Sequence, residues 1–489
     1  MSIPTHNRPH LGRAVSDLPY DVLREIFLHC LPQYPLNVDV RQPNMQVAPM
    51  LLCHVCSSWR FVALSSPQLW ARLSCRLTLF EDNDNEEIPR FLKTQIEFLQ
   101  WWKQNQGAIS PFLSIELEST YCNSIYLKTE ECLIASDSMN FLLAWIASAQ
   151  YLDIDPFLWE EFDRILHQDD TYPSMVHTLI RRMYWTDEGS PVPNVPYLKY
   201  SCISSLSKLR RLCITEAILP GSMLFHNATI PTQWTTLTHI SLYKVDISHK
   251  FWFAILRATP NLQWAYLEIE YVVTDTPSDI AKYVHHHLNT LFIVFHYLHS
   301  PHIFPLCKFF SGLELPALRK LSISSDADSW NDDTSTLDLV AASQSAQGVE
   351  TLFLGKGFLC AGDPVQMNLK ALIHAPLWVY LPRLSHLQVQ ITPGITFRGP
   401  TANDQMDVFL RNFLTPDQHW VDLGSEGYTT PIRKLTFITD DAQLDSVVEL
   451  AASRFQELAK RTPDIEFQLA SELETQAASD AWKAWGAIA

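Results

Sequence analysis

A few clusters in this 489-residue chain carry residue types that can do chemistry. Cys53-His54-Val55-Cys56 has half the spacing of a zinc site, but no second Cys/His pair stands at zinc-finger distance. The four also fall inside an expected helix, so Cys56 reads as a structural thiol. His285-His286-His287 invites a metal, yet consecutive helical residues point about 100° apart and cannot converge on one ion. A solvated helix face is expected there. Asp326-Ala327-Asp328-Ser329-Trp330-Asn331-Asp332-Asp333 opens like a calcium loop, but Trp330 fills a ligand position and the glycine is missing. Gly355-Lys356-Gly357 lacks the third glycine of a dinucleotide fingerprint, because Cys360 stands in its place. No P-loop, nucleophile-elbow or zincin motif occurs. The 14 Gly are under half the usual share of about 7 %. The expectation is therefore a protein that is no enzyme, with no cofactor and no metal.

The elements around these clusters are more telling. Val22, Leu23, Ile26 and Phe27 form one apolar stripe at helical spacing, behind Leu18 and a Pro19 suited to a helix's first turn. Leu51, Leu52, Val55, Cys56, Trp59, Val62 and Ala63 predict a second amphipathic helix. Pro67, with Leu69 and Trp70 behind it, marks a turn into a third short element. The segment 33–49 carries Pro35, Pro43 and Pro49 without periodicity and reads as an inserted loop. A stretch of about sixty residues buries only about 60 % of its unfolded surface. These stripes must therefore pack on the rest of the chain or on a partner.

Leu18-Pro19-Tyr20-Asp21-Val22-Leu23-Arg24-Glu25-Ile26-Phe27, then Val55-Cys56-Ser57-Ser58-Trp59-Arg60 and Pro67-Gln68-Leu69-Trp70, together resemble an F-box. The resemblance implies docking to the Skp-type adaptor of a cullin-based ubiquitin ligase. It assigns that contact to Leu18, Pro19, Val22, Leu23, Ile26, Phe27, Val55, Cys56, Trp59, Leu69 and Trp70. F-boxes ordinarily join their helices by a shorter link than 33–49, and the insert resembles the divergent F-box-like sequences of large fungal families.

Beyond Trp70 the chain changes character. An acidic run, Glu81 to Glu87, reads as a solvated loop. An amphipathic helix is expected near 88–104, with Ile88, Leu92, Ile96, Leu99 and Trp102 at helical spacing. A strand is expected at Phe112–Leu117, with earlier strand candidates around Leu152–Ile154 and at Leu179. From about residue 200 the pattern apolar-x-x-apolar-x-apolar begins at Leu209, Leu237, Leu262, Leu288, Leu318, Val349, Leu384 and Ile432. Pro260, Pro316, Pro382 and Pro463 each stand just before a strand-like segment and force an extended start. Phe251–Ala258, Ile280–Leu288, Met406–Leu414 and Leu444–Leu458 carry helical stripes.

Strand, turn and helix repeating at about 25–35 residues describes a leucine-rich-repeat solenoid. The Asn or Cys that such repeats carry after the strand is absent; Ala217, Val245, Glu270, Asp326, Gly357 and Thr392 hold those places. An irregular solenoid with excursions at 323–348 and 391–431 is expected, the alternative being a compact α/β body with a mostly parallel sheet. Strand alternation turns Arg210, Arg211, Cys213, Thr238, His239, Ser241, Gln263, Trp264, Tyr266, Arg319, Lys320, Ser322, Ser385, His386 and Gln388 away from the apolar side. Arg211, His239, Trp264, Tyr266, Lys320 and His386 are the candidates for target contact.

The net charge of -17 argues against a generic nucleic-acid surface, and no Lys/Arg run suggests a membrane surface. Ten scattered Cys form no disulfide framework, and the first residues lack the apolar core of a signal peptide. A cytoplasmic or nuclear protein is expected. The expected fold class is α+β or α/β solenoid: a disordered 1–15, a helical F-box-like module over 16–75, a linker and helix over 76–110, and repeats over 111–489. The function this implies is a substrate-recognition adaptor, bound through the Skp-type adaptor to a cullin and holding a target protein. The alternative is a stand-alone interaction scaffold whose first helices only cap the repeats.

Overall fold

The computed structural model describes residues 18–31, 37–39, 46–78, 88–118, 137–154, 176–182, 206, 208–215, 234–247, 249–271, 282–296, 309–325, 345–355, 381–390, 432–439 and 465–471. These residues form a mostly parallel arrangement of strands with few helices and no closed barrel. The chain divides into two compact units, one over Met1–Val195 with Lys483–Ala489 and the other over Pro196–Trp482. That division falls inside the stretch the sequence reads as one run of repeats.

In the first unit, helices α1 (Tyr20–His29), α2 (Met50–Val55) and α3 (Ser57–Leu64) and a 3-10 turn (Pro67–Trp70) precede the long helix α4 (Ile88–Gln106) and α5 (Asp137–Ala147). Strands β1 (Asn37–Asp39), β2 (Arg72–Thr78), β3 (Phe112–Glu118), β4 (Tyr151–Ile154) and β5 (Thr178–Arg182) pair in that order, all parallel. Leu73, Leu113, Leu152 and Leu179 sit in one register row and are buried, so the sheet is held by an apolar ladder. Helix α4 ends before Gly107, whose N–H still bonds to Lys103 O at 3.2 Å and whose φ of 64° turns the chain out of the helix.

Two sequence expectations need correction here. The helix expected through Leu51–Ala63 breaks at Cys56, which is extended at φ −161° and ψ 172°. Its sulfur accepts from Trp59 N–H at 3.4 Å and so caps α3, and Ser57 and Ser58 open that helix, where short polar side chains are favoured. The segment 33–49 is also more than a loop, because Asn37–Asp39 pairs with β2. Helix α4 and strand β3 match the sequence reading to within two residues.

In the second unit, β6 (Arg211–Thr215), β7 (His239–Ile247), β8 (Trp264–Tyr271), β10 (Thr290–His296), β12 (Lys320–Ser325), β13 (Thr351–Leu354), β14 (His386–Gln390), β15 (Lys434–Thr439) and β16 (Glu466–Ser471) pair in that order and in parallel. A small parallel pair, β9 (Tyr283–Val284) with β11 (Leu313–Glu314), and helix α6 (His249–Ala258) complete the described elements. Every apolar-x-x-apolar-x-apolar segment from Leu209 to Ile432 delivers one of these strands, the second and third apolar residues lying inside it. Where the sequence places an excursion from 323, β12 continues to Ser325; 326–344 and 391–431 lie outside the described residues, as do Met406–Leu414 and Leu444–Leu458.

The same turn opens most of these strands. The N–H of Leu209, Leu237, Leu262, Leu318, Val349 and Leu384 donates to the carbonyl three residues earlier, at 3.0–3.1 Å. The acceptors belong to Leu206, Trp234, Thr259, Leu315, Ala346 and Leu381, all buried. The next residue continues a chain of backbone bonds from strand to strand: Thr238 to Arg210, Gln263 to Thr238, Asn289 to Gln263, Arg319 to Asn289, Glu350 to Arg319, Ser385 to Glu350 and Arg433 to Ser385, at 2.7–2.9 Å. Pro260, Pro316 and Pro382 sit in these turns, where a missing N–H costs no ladder bond.

Over its described residues, 282–288, the stripe at Ile280–Leu288 is not a helix. Lys282 leads into β9, and His285-His286-His287 follows as a turn. His285 is buried, donating from Nε2 to Thr259 O at 2.9 Å and accepting at Nδ1 from Leu288 N–H at 3.1 Å. His286 and His287 are exposed. The triplet thus holds a turn to the end of α6 and presents no solvated helix face.

Three imidazoles of this unit are held below the ordinary histidine value: His239, pushed down to about 4 by burial and then by the Arg211 guanidinium, His285 by burial, and His386 by burial and then by Lys434. Above about pH 6.5 folded and unfolded chains are equally unprotonated at these sites, and their contribution to stability is complete. As pH falls below 6.5, the unfolded chain takes up protons that the folded chain refuses, at His239 until about pH 4, and stability is lost. The denaturation midpoint is expected to fall between pH 7 and pH 4.5, with a shallower slope in His239→Gln. An identical slope in that variant would contradict the assignment.

Candidate partner-docking surfaces

The first surface is built from α1, α2 and α3. On α1, Leu23 and Phe27 turn inward, and Phe27 lies against Trp59 at 4.9 Å between ring centroids. Arg60 Nε donates to Cys53 O at 2.7 Å and ties α3 to α2, while Tyr20 OH donates to Ser65 O at 3.1 Å and ties α1 to the end of α3. Beneath them Trp70 is wholly buried. Its Nε1 donates to Ala63 O at 2.9 Å, its own carbonyl accepts from Trp102 Nε1 at 2.7 Å, and its ring meets Trp101 and Trp102 edge-on at 5.0 Å.

With the inner faces satisfied, each helix still presents an apolar pair to solvent one turn apart: Val22 with Ile26, Leu51 with Val55, and Phe61 with Leu64. These are 36–67 % exposed, Phe61 the most. Exposed large apolar residues concentrated on adjoining short helices mark an interaction surface more often than isolated ones do. The Cys56 and Pro19 side chains are also exposed, and Leu18 and Trp59 are half-buried.

This placement corrects the sequence-derived contact set. Leu23, Phe27, Leu69 and Trp70 are interior and support the surface from beneath; they cannot touch a partner directly. Val22, Ile26, Val55, Cys56 and Pro19 remain available. Sequence reasoning passes over Leu51, Phe61 and Leu64 as contacts. Leu51 belongs to the helical stripe read from the sequence and Phe61 and Leu64 stand outside it; a stripe alone does not reveal which of two apolar faces is inward.

The second surface is the polar side of the sheet in the second unit. Arg211, His239, Trp264, Thr290, Lys320, Thr351, His386, Lys434 and Glu466 occupy one register row across β6 to β16. Five of the six residues proposed for target contact therefore share a single row. The sixth, Tyr266, lies one position deeper in the next row and is buried, with its hydroxyl donating to Glu268 Oε2 at 3.0 Å. It supports the surface and is a poor contact. Cys213, Ser241 and Ser322 share that deeper row and are buried too, so alternation alone overstates how open this side is.

An aromatic cluster marks the middle of the row. Trp264 stacks against Tyr266 with centroids 6.5 Å apart, Phe292 lies 5.8 Å from Trp264, and His239 stacks on Trp264 at 6.1 Å. Further along, His386 Nε2 and Thr436 Oγ1 are hydrogen-bonded at 2.8 Å, and Lys434 Nζ meets Glu466 Oε1 at 3.1 Å. Among the described residues neither surface assembles a reactive constellation. Burial raises the Cys75 thiol to about 12, which makes it a poor nucleophile. Among the described residues no three His, Cys, Asp or Glu side chains gather to hold a metal, and no helix is long and apolar enough to cross a membrane. No protein-family model and no curated protein matches the sequence.

Proposed function

We propose that this chain is the substrate-recognition adaptor of a cullin-based ubiquitin ligase, acting in the cytoplasm or nucleus. Its first helices would form an F-box-like module that docks to a Skp-type adaptor, and its second unit a leucine-rich-like solenoid that holds a target protein. The observation that carries this reading is the set of apolar pairs, Val22/Ile26, Leu51/Val55 and Phe61/Leu64, left exposed on the three helices that the F-box-like motifs occupy. Burying such area is favourable by about 25 cal/mol per Å², so a partner gains by covering it. The solenoid reading draws support from the recurring turn and the sequential parallel pairing.

In this reading the mechanism is proximity and no bond is broken by the chain itself. Holding a target beside the charged ubiquitin carrier raises the local concentration of its lysines. A specific observation favours a second reading: the Trp70 carbonyl and ring fasten the helices to α4, as a cap on the first strands would require. Co-expression with a Skp-type adaptor separates the two. The ligase reading expects a stoichiometric complex on size exclusion that Leu18→Ala with Pro19→Ala weakens; a chain that elutes without the adaptor supports the cap.

A further inference from the structure

The strands of the second unit all point the same way, so their first residues gather on one border of the polar side. Three of them open with adjacent basic residues: Arg210-Arg211 at β6, Arg319-Lys320 at β12 and Arg433-Lys434 at β15. The described acids at the same positions are Glu350 and Glu466. They pair with Arg319 at 3.3 Å and with Lys434 at 3.1 Å. Six cations against two carboxylates give this border a local excess of positive charge, in a chain whose net charge is -17. Arg210, Lys320 and Arg433 are exposed. The excess is thus concentrated against the overall sign of the molecule, which solubility alone does not require.

The middle of the border is uncharged and aromatic. Trp264, half-buried, lies in the row between the basic pairs of β6 and β12, and Phe292 lies beside Tyr266 in the deeper row. Beside Tyr266 in the deeper row, Ser241 Oγ is buried with no hydrogen-bond partner. That hydroxyl is wholly enclosed, so it belongs to the support beneath the aromatic rings and not to the contact surface.

We infer that this border binds an acidic, extended polypeptide segment, whose carboxylates meet the basic pairs and whose apolar or aromatic side chain rests on Trp264 and Phe292. The inference rests on the proposed role of the second unit in target recognition and names the class of target. Charge complementarity selects the occupant. A neutral segment offers no counter-charge to the exposed Arg210, Lys320 and Arg433, and a nucleic acid is repelled by the rest of an acidic chain.

The test is a selection from a random twelve-residue peptide library displayed on phage, with the immobilised full-length protein as bait. Enrichment of Asp and Glu around one aromatic residue is expected. A synthetic copy of the leading peptide should bind at least tenfold more weakly to Lys320→Glu and to Arg210→Glu, and unchanged to Lys282→Glu, a basic residue outside the row that pairs with Glu314. Neutral or basic winners, no enrichment, or equal affinity for the row variants and wild type would each overturn the inference. A single-stranded RNA homopolymer that displaces the peptide would replace it with polyanion binding. Adaptor co-purification reads the first unit's role separately, so either result can fail while the other stands.

Discussion

Trp70→Ala is expected to lower the stability of the first unit by about 3–5 kcal/mol. The indole is wholly enclosed, so its removal leaves a cavity that neighbours fill only in part. Two edge-on contacts, with Trp101 and Trp102, go with it. The Nε1 bond to Ala63 O is also lost, leaving the end of α3 one donor short, worth about 1 kcal/mol more. The backbone carbonyl that receives Trp102 Nε1 survives the substitution, which keeps α4 attached. Chemical denaturation followed by tryptophan fluorescence measures the loss. Should the Ala variant not accumulate, Trp70→Phe keeps most of the ring and should cost roughly 1–3 kcal/mol. A loss under about 1 kcal/mol in the Ala variant would mean that this residue is not the joint between the helices and α4.

The second large effect is expected on binding. Val22→Glu with Ile26→Glu should weaken association with a Skp-type adaptor at least ~100-fold while leaving the denaturation midpoint of the isolated chain nearly unchanged. Both side chains are about two-fifths exposed and neither belongs to the interior. In a covered interface each forgoes roughly 1.5–3 kcal/mol of apolar burial, and each carboxylate adds a desolvation cost. Leu23→Ala is the contrasting variant. It is buried on the same helix and should cost about 2–4 kcal/mol of stability, with binding following only the folded fraction. Surface plasmon resonance with the purified adaptor reads the difference; equal affinity of the double variant and wild type would remove the docking surface from α1.

Much of the sheet was legible in advance because period-2 patterning survives wherever one side of a strand is buried. Leu212 and Ile214, Leu321 and Ile323, and Leu387 and Val389 all keep that alternation, and each lies inside a strand. The long helix α4 was legible for the corresponding helical reason. Cys56 was not, since its extended backbone is stabilised by a sulfur cap that leaves no mark in residue hydropathy. The Ile280–Leu288 stripe misleads because His285 is held by Thr259, a residue beyond its own segment. For the candidate surfaces, helical spacing identifies Val22 and Ile26 together with Leu23 and Phe27. It takes the tertiary contact of Phe27 with Trp59 to decide which pair is inside.

The row that joins Arg211 to Lys320 also acts as a ruler. Four strand steps of about 4.8 Å separate those two positions, roughly 19 Å, and three more steps of roughly 14 Å lead on to Lys434. An extended chain advances about 3.3 Å per residue, so one lying across the strands meets these cations about six and then about four residues apart. The spacing of the sheet thereby sets a reading frame: acids at that interval fit Arg211, Lys320 and Lys434 at once, whereas the same acids moved by one residue turn to the opposite side of the segment.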